Sequence, residues 1–185
     1  MPHVNAKGRL LLGTVGWERA DWLRGYYPHD LPAEWRLAYY ANDCDCVLLP
    51  GEAWCTGDRE GLEQAIDETD DRLRLFVEMP EVPPDHVRSR LATFPPDRTV
   101  LLAAAGSPGR PGYRGWQAQG LDAWVDGDSG ALLVRWSLAA FDLRDLRARA
   151  ERLDRRVRAL VLDGPGADPG RIPELRRMLE LMGRS

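Results

Sequence analysis

Two carboxylates and one guanidinium stand at or near the ends of predicted strands: Glu78 after the run 73–77, Asp163 after 158–162 and Arg135 near the end of 131–136. An acid pair beside an arginine is a usable acid–base and anion-binding set. A desolvated carboxylic acid keeps its proton to higher pH, and arginine offers a two-pronged hydrogen-bond fork. Glu78 and Asp163 are therefore the candidate acid and base, with Arg135 as the clamp on an anionic group. A second set is aromatic. Thr14, Gly16, Trp17, Trp22, Tyr27 and Trp54 cluster after the first two strand candidates, a composition suited to walling a small-molecule pocket. Each side chain also has a structural reading, since acids and arginines at strand ends form ion pairs and large aromatics cover cores.

Other chemistries are poorly supplied. Lys7 is the only lysine among 25 basic residues, so Schiff-base chemistry lacks a candidate outside the N-terminal arm at 1–8. There is no phosphate-binding P-loop, dinucleotide fingerprint, G-x-S-x-G elbow or H-E-x-x-H pair, and no cofactor is expected. Cys44, Cys46 and Cys55 supply three of the four ligands that zinc or an iron–sulfur cluster wants. They read better as small buried hydrophobes, so no metal is expected. His3 reads as terminal and His86 as helix surface. The net charge of -4 does not announce a nucleic-acid surface. No apolar run approaches a membrane span and residues 1–10 lack a signal-peptide core, so the expected location is the cytoplasm.

The elements that must position these residues alternate. Strand candidates fall at 10–13, 46–49, 73–77, 99–104, 121–125, 131–136 and 158–162, and helix candidates at 33–42, 57–69, 84–92, 142–156 and 170–182. That alternation is the βα pattern, and 185 residues form one α/β domain. The segment 105–120 is too rich in glycine and proline for a helix. The turn 126–130 is too short for a parallel crossover, which predicts an antiparallel hairpin over 121–136. The expectation is thus an abridged barrel of about seven strands. An open strand edge left by the abridgement would need cover, for which a homodimer is one solution. From 142 onward, Asp142 reads as a helix cap. Leu143, Leu146, Ala150, Leu153 and Val157 trace one apolar stripe, and Asp145–Arg149 and Glu151–Arg155 pair on the other faces.

The stretch Gly13-Thr14-Val15-Gly16-Trp17, followed by Asp21-Trp22, Gly25-Tyr26-Tyr27-Pro28 and Leu31-Pro32, resembles the opening signature of the YecE-like family, the domain of unknown function numbered 72. Leu37-Ala38-Tyr39-Tyr40-Ala41 is similar to that family's L-x-Y-Y-A helix, and Leu133-Val134-Arg135-Trp136 to its late V-R-L-H-G strand. The resemblance implies a TIM-type (β/α) barrel whose strand ends converge on one face, with Trp17 and Arg135 at a common pocket. It also implies that the family's polar site is largely lost. Val47-Leu48-Leu49-Pro50 stands for V-E-I-N, Glu78 for a lysine, and Arg135-Trp136-Ser137-Leu138 for R-L-H-G.

Three functions follow in order of preference. The first is a protein binding a small molecule, possible anions included, at the carboxyl ends of the barrel strands. The second is an enzyme using Glu78 and Asp163 with Arg135. The third is a nuclease-like phosphodiesterase or DNA-binding barrel, for which three scattered histidines are a poor endowment.

Overall fold

The apolar runs become strands that are too short to bury themselves alone, and they solve this by closing on one another. In the computed structural model, which describes residues 9–80 and 87–184, eight strands form one closed barrel in sequence order. These are β1 (Leu11–Val15), β2 (Cys46–Leu49), β3 (Arg74–Glu78), β4 (Thr99–Ala103), β5 (Arg114–Ala118), β6 (Ala123–Asp126), β7 (Leu132–Ser137) and β8 (Val157–Asp163). The helices are α1 (Trp22–Gly25), α2 (Arg36–Tyr40), α3 (Gly51–Thr56), α4 (Arg59–Asp67), α5 (Val87–Leu91), α6 (Leu143–Glu151) and α7 (Ile172–Leu181). His3, Lys7, His86 and the expected loose arm at 1–8 lie outside the described residues. Among the described residues no helix is long and apolar enough to cross a membrane.

The barrel has eight strands rather than about seven. The additional strand, β5, lies inside the glycine- and proline-rich stretch. Those residues forbid a helix of ten or more, but a strand needs only the five residues Arg114–Ala118. β5 pairs with β4 on one side and β6 on the other, so no strand edge is left open and the argument for a homodimer loses its premise. The expected hairpin is present. β6 runs antiparallel to both β5 and β7, while every other neighbouring pair is parallel. Two short connections around β6 therefore replace crossover helices. In the β6–β7 turn the buried Asp126 carboxylate accepts from the Ser129 hydroxyl at 2.6 Å.

The apolar residues split into two cores, as alternation along buried strands requires. One fills the barrel: Cys46, Leu48, Phe76, Leu102, Trp116, Trp124, Leu133 and Val161 among others. The other lies between the strands and the helices and holds Leu12, Leu49, Trp54, Leu75, Leu160 and Leu175. Gly13 is needed where β1 meets β2, because a Cβ there would lie 1.8 Å from the Cys46 carbonyl oxygen. Gly16, at φ 67°, then turns the chain out of β1 in the left-handed region that glycine tolerates.

The helix after Asp142 starts as expected, with the Asp142 carboxylate accepting from Arg144 N–H at 2.8 Å. It ends at Glu151 rather than near 156, and Val157 opens β8 instead of closing the apolar stripe. Asp154 accepts from Arg156 N–H at 2.8 Å, a local turn that competes with further helix. The Asp145–Arg149 pair forms at 2.8 Å, whereas Glu151 pairs with Arg147 because no helical turn carries Arg155 toward it.

Candidate functional site

Two features occupy the carboxyl-terminal end of the strands, and α3 joins them. The first is a cavity of about 520 Å³ outside the barrel wall, between the loop after β1 and the helices α3 and α4. Gly16, Trp17, Leu49, Pro50, Ala53 and Trp54 line it, with Leu62 and Ala65 from α4. The close glycines and alanines of α3 and α4 leave the volume that larger side chains would fill. Its charged lining is acidic: Glu18, Glu34 and Asp58. Glu18 is paired with Arg36 at 2.8 Å, and Asp58 caps α4 by accepting from Glu60 N–H at 3.1 Å. The Trp17 indole N–H is buried without a hydrogen-bond partner.

The second feature is the barrel mouth, where the side chains of Glu78, Arg135 and Asp163 gather. Arg135 lies 3.8 Å from the Glu78 carboxylate, donates to Asp122 at 2.9 Å and to the Leu121 carbonyl at 3.1 Å, and stands over the Trp124 ring at 5.6 Å. Burial pushes the Glu78 carboxyl above the usual carboxylate range. The Arg135 guanidinium and the Gly51 N–H oppose that shift, and the nearby Asp163 carboxylate adds to it. Asp163 also accepts from Gly164 N–H at 2.7 Å. With two acids against one arginine, and a third beside Glu78, the guanidinium is already engaged. An incoming anion would have to displace Asp122 or Glu78.

The two features share α3. Its first residue, Gly51, donates its N–H to the Glu78 carboxylate, and the Trp54 indole donates to the Glu78 carbonyl at 2.8 Å. Trp17 and Arg135 nevertheless do not face a common pocket. Trp17 lines the outer cavity, while Arg135 lies on the interior face of β7 and is held at the mouth.

The remaining expected residues divide. Thr14 is fully buried, with its hydroxyl bonded to the Gly16 carbonyl at 2.7 Å and close to the Tyr40 hydroxyl at 3.1 Å. Trp22 is buried and its indole donates to the Ala167 carbonyl at 3.1 Å. Tyr27 is buried and its hydroxyl donates to the Trp17 carbonyl. These three shape the loop from within and offer no free polar atom to a ligand. Their aromatic and hydroxyl types were equally suited to a pocket wall, and only packing separates the two roles.

Sequence reasoning missed Asp122. Within a predicted strand 121–125 it carried no chemical signal. Because β6 runs opposite to its neighbours, however, the residue preceding it lies at the mouth instead of the floor. The predicted hairpin contained that information. Ala53 was missed because α3 falls in a stretch read as loop, and Leu62 and Ala65 because their helix was expected but not placed against the loop after β1. The cysteines face different ways, Cys44 into the outer core and Cys46 into the barrel. Burial raises all three thiols above the usual range, away from the thiolate that metals bind. Among the described residues no group of three or more histidines, cysteines or acids is placed to hold a metal ion.

A family model described as "Protein of unknown function DUF72" matches residues 11–104, just over half of the chain. The match ends where the glycine- and proline-rich stretch begins, before the antiparallel strand. No curated protein matches the chain at a significant level. Among solved structures, a DUF72 family protein from Thermotoga maritima is similar with a TM-score of 0.55 and 12% identity, over 96% of this chain and 100% of the other. At that identity the likeness concerns the fold.

Proposed function

The chain belongs to the DUF72 family of proteins of unknown function, and from that premise we propose that it binds a small molecule at the carboxyl-terminal rim of its barrel, in the cavity beside Trp17. The observation that carries this reading is the cavity of about 520 Å³ with an apolar, two-tryptophan lining and few polar groups. Small-molecule sites have that size and composition, and barrels place them outside the carboxyl ends of the strands. The Trp17 side chain supplies a flat apolar wall against which a ligand can pack. Glu18, Glu34 and Asp58 make the ligand neutral or cationic, in place of the anion expected from Arg135.

The test is a thermal-shift screen of the parent, Trp17→Phe and Ala53→Leu against neutral, cationic and anionic metabolites. The expected hits are neutral or cationic. They stabilise the parent, lose part of their effect in Trp17→Phe through the smaller aromatic wall, and fail in Ala53→Leu, where the added carbons fill the cavity. Hits untouched by both substitutions, or confined to anions, would sink the reading.

A second reading is supported by the raised carboxyl of Glu78 beside Asp163. In it Glu78 donates a proton and Asp163 receives one, while Arg135 orients Glu78 and clamps no substrate. Acid-dependent turnover that disappears in Glu78→Gln is its test. The nuclease-like alternative draws no support from a mouth whose acids outnumber its cations, because a phosphodiester would be repelled there.

A further inference from the structure

The opposite end of the barrel has the reverse charge. A cavity of about 880 Å³ opens at the amino-terminal ends of the strands, lined by Arg9, Arg72, Arg74, Arg158 and Arg176. Three aspartates also line it, and each is engaged. Asp45 takes Arg176 at 2.7 Å and Arg9 at 3.3 Å, Asp70 takes Arg72 at 2.9 Å, and Asp43 accepts from the Tyr26 hydroxyl at 2.8 Å. Arg74 and Arg158 have no carboxylate partner among the described residues. Arg74 donates to the Asp97 carbonyl at 2.7 Å, and Arg158 to the carbonyls of Arg155 and Val157 at 2.7 and 3.1 Å. Backbone carbonyls satisfy a few donors of a guanidinium and leave its charge uncompensated.

The placement of these two arginines is a second, independent observation. Arg74 is in register with Cys46, whose side chain belongs to the barrel interior, so an arginine begins the interior row of β3. Barrels normally fill that position with branched aliphatic residues. Arg158 is the extra residue of a bulge. Leu132 pairs with Val157 and Leu133 with Ala159, which leaves Arg158 unopposed between them. Bulges re-aim a side chain, and this one turns an arginine to the cavity. Both features concentrate positive charge on the floor of a chain whose net charge is -4.

We propose that this floor cavity binds a phosphorylated small molecule carrying adjacent phosphate groups, of the inorganic pyrophosphate or nucleoside diphosphate type, with Arg74 and Arg158 as its principal contacts. Guanidinium groups grip phosphate oxygens through paired, charge-assisted hydrogen bonds, and two uncompensated forks suit two adjacent phosphates. The volume lies within the range of small-molecule sites. A concave floor favours a compact ligand over an extended nucleic-acid backbone. The assignment is independent of the Trp17 cavity at the other end of the barrel.

Calorimetric titration of the full chain at low salt, with inorganic phosphate, pyrophosphate, ADP and a short single-stranded oligonucleotide, tests it. Pyrophosphate and ADP should bind more tightly than phosphate, and more weakly as salt rises. Arg158→Gln should weaken pyrophosphate at least roughly tenfold, and Arg158→Lys should lie between it and the parent, because the charge remains and the fork is lost. Arg158 is exposed, so its variants should keep the parent's ligand-free melting temperature. Arg147→Gln, a surface change on α6, should bind as the parent does. No heat from pyrophosphate at low salt, equal affinity in the parent and in both Arg158→Gln and Arg74→Gln, or oligonucleotide binding without pyrophosphate binding would each overturn the assignment.

Discussion

Glu78 links the mouth to α3 through its carboxylate and its carbonyl, and its protonation has a measurable signature. Its folded-state carboxyl holds a proton to higher pH than in the unfolded chain, chiefly through burial. The stabilisation it contributes is therefore fully present below the ordinary glutamate pKa of about 4.3 and is lost as pH rises through the raised value. Denaturant unfolding of the parent from about pH 4 toward neutrality should include this loss, and the Glu78→Gln curve should lack it. Identical curves would remove the burial argument. Tyr40 is a second telling residue. Its hydroxyl accepts from Thr14 N–H at 2.8 Å and donates to the Cys46 carbonyl at 2.8 Å, in a fully buried position. Tyr40→Phe strands both backbone groups, at a cost of about 1 to 3 kcal/mol measurable by chemical denaturation. A neutral result would mean that water or a shifted strand replaces the hydroxyl.

At the scale of elements, closeness of backbone and capping of helices decide stability. β1 approaches β2 so nearly at Gly13 that Gly13→Ala must move one strand, and a loss of roughly 3 kcal/mol is expected. The carboxyl end of α4 is held from outside by Arg98. This buried side chain donates to the carbonyls of Ile66 at 2.6 Å, Thr69 at 3.0 Å and Asp70 at 2.9 Å. Cations favour helix carboxyl ends, and in Arg98→Ala the Thr69 carbonyl loses its partner while those of Ile66 and Asp70 keep only the backbone N–H groups of Thr69 and Leu73. That variant should melt well below the parent, by the equivalent of about 3 kcal/mol, and α4 amides should exchange faster. α4 also lines the Trp17 cavity, so ligand stabilisation there should fall as well.

For the whole molecule, closure is least secure around the antiparallel strand. β5 begins with two exposed residues and fully buries only Trp116 of its five, while β6 buries two of its four, Trp124 and Asp126. Hydrogen exchange should therefore release β5 and β6 amides before those of β2 and β8, whose residues are almost all buried. Simultaneous release would mean that the barrel opens as one unit.

Local rules were enough for much of this chain. Apolar runs placed seven strands within a few residues, Gly16 after β1 marked the turn that presents Trp17, and a turn too short for a crossover announced the hairpin. These are short-range consequences of sterics and periodicity, written in neighbouring residues. The family signature was legible for the same reason, since it lies largely in one continuous stretch. Tertiary structure alone decided the eighth strand, because β5 holds its place by pairing with a strand on each side. Only closure parted Trp17 from Arg135 by the thickness of the barrel wall and gathered Arg74 and Arg158 on one floor. Those arrangements depend on register and direction across strands distant in sequence, and a side chain's type says nothing about which end of the barrel it will face.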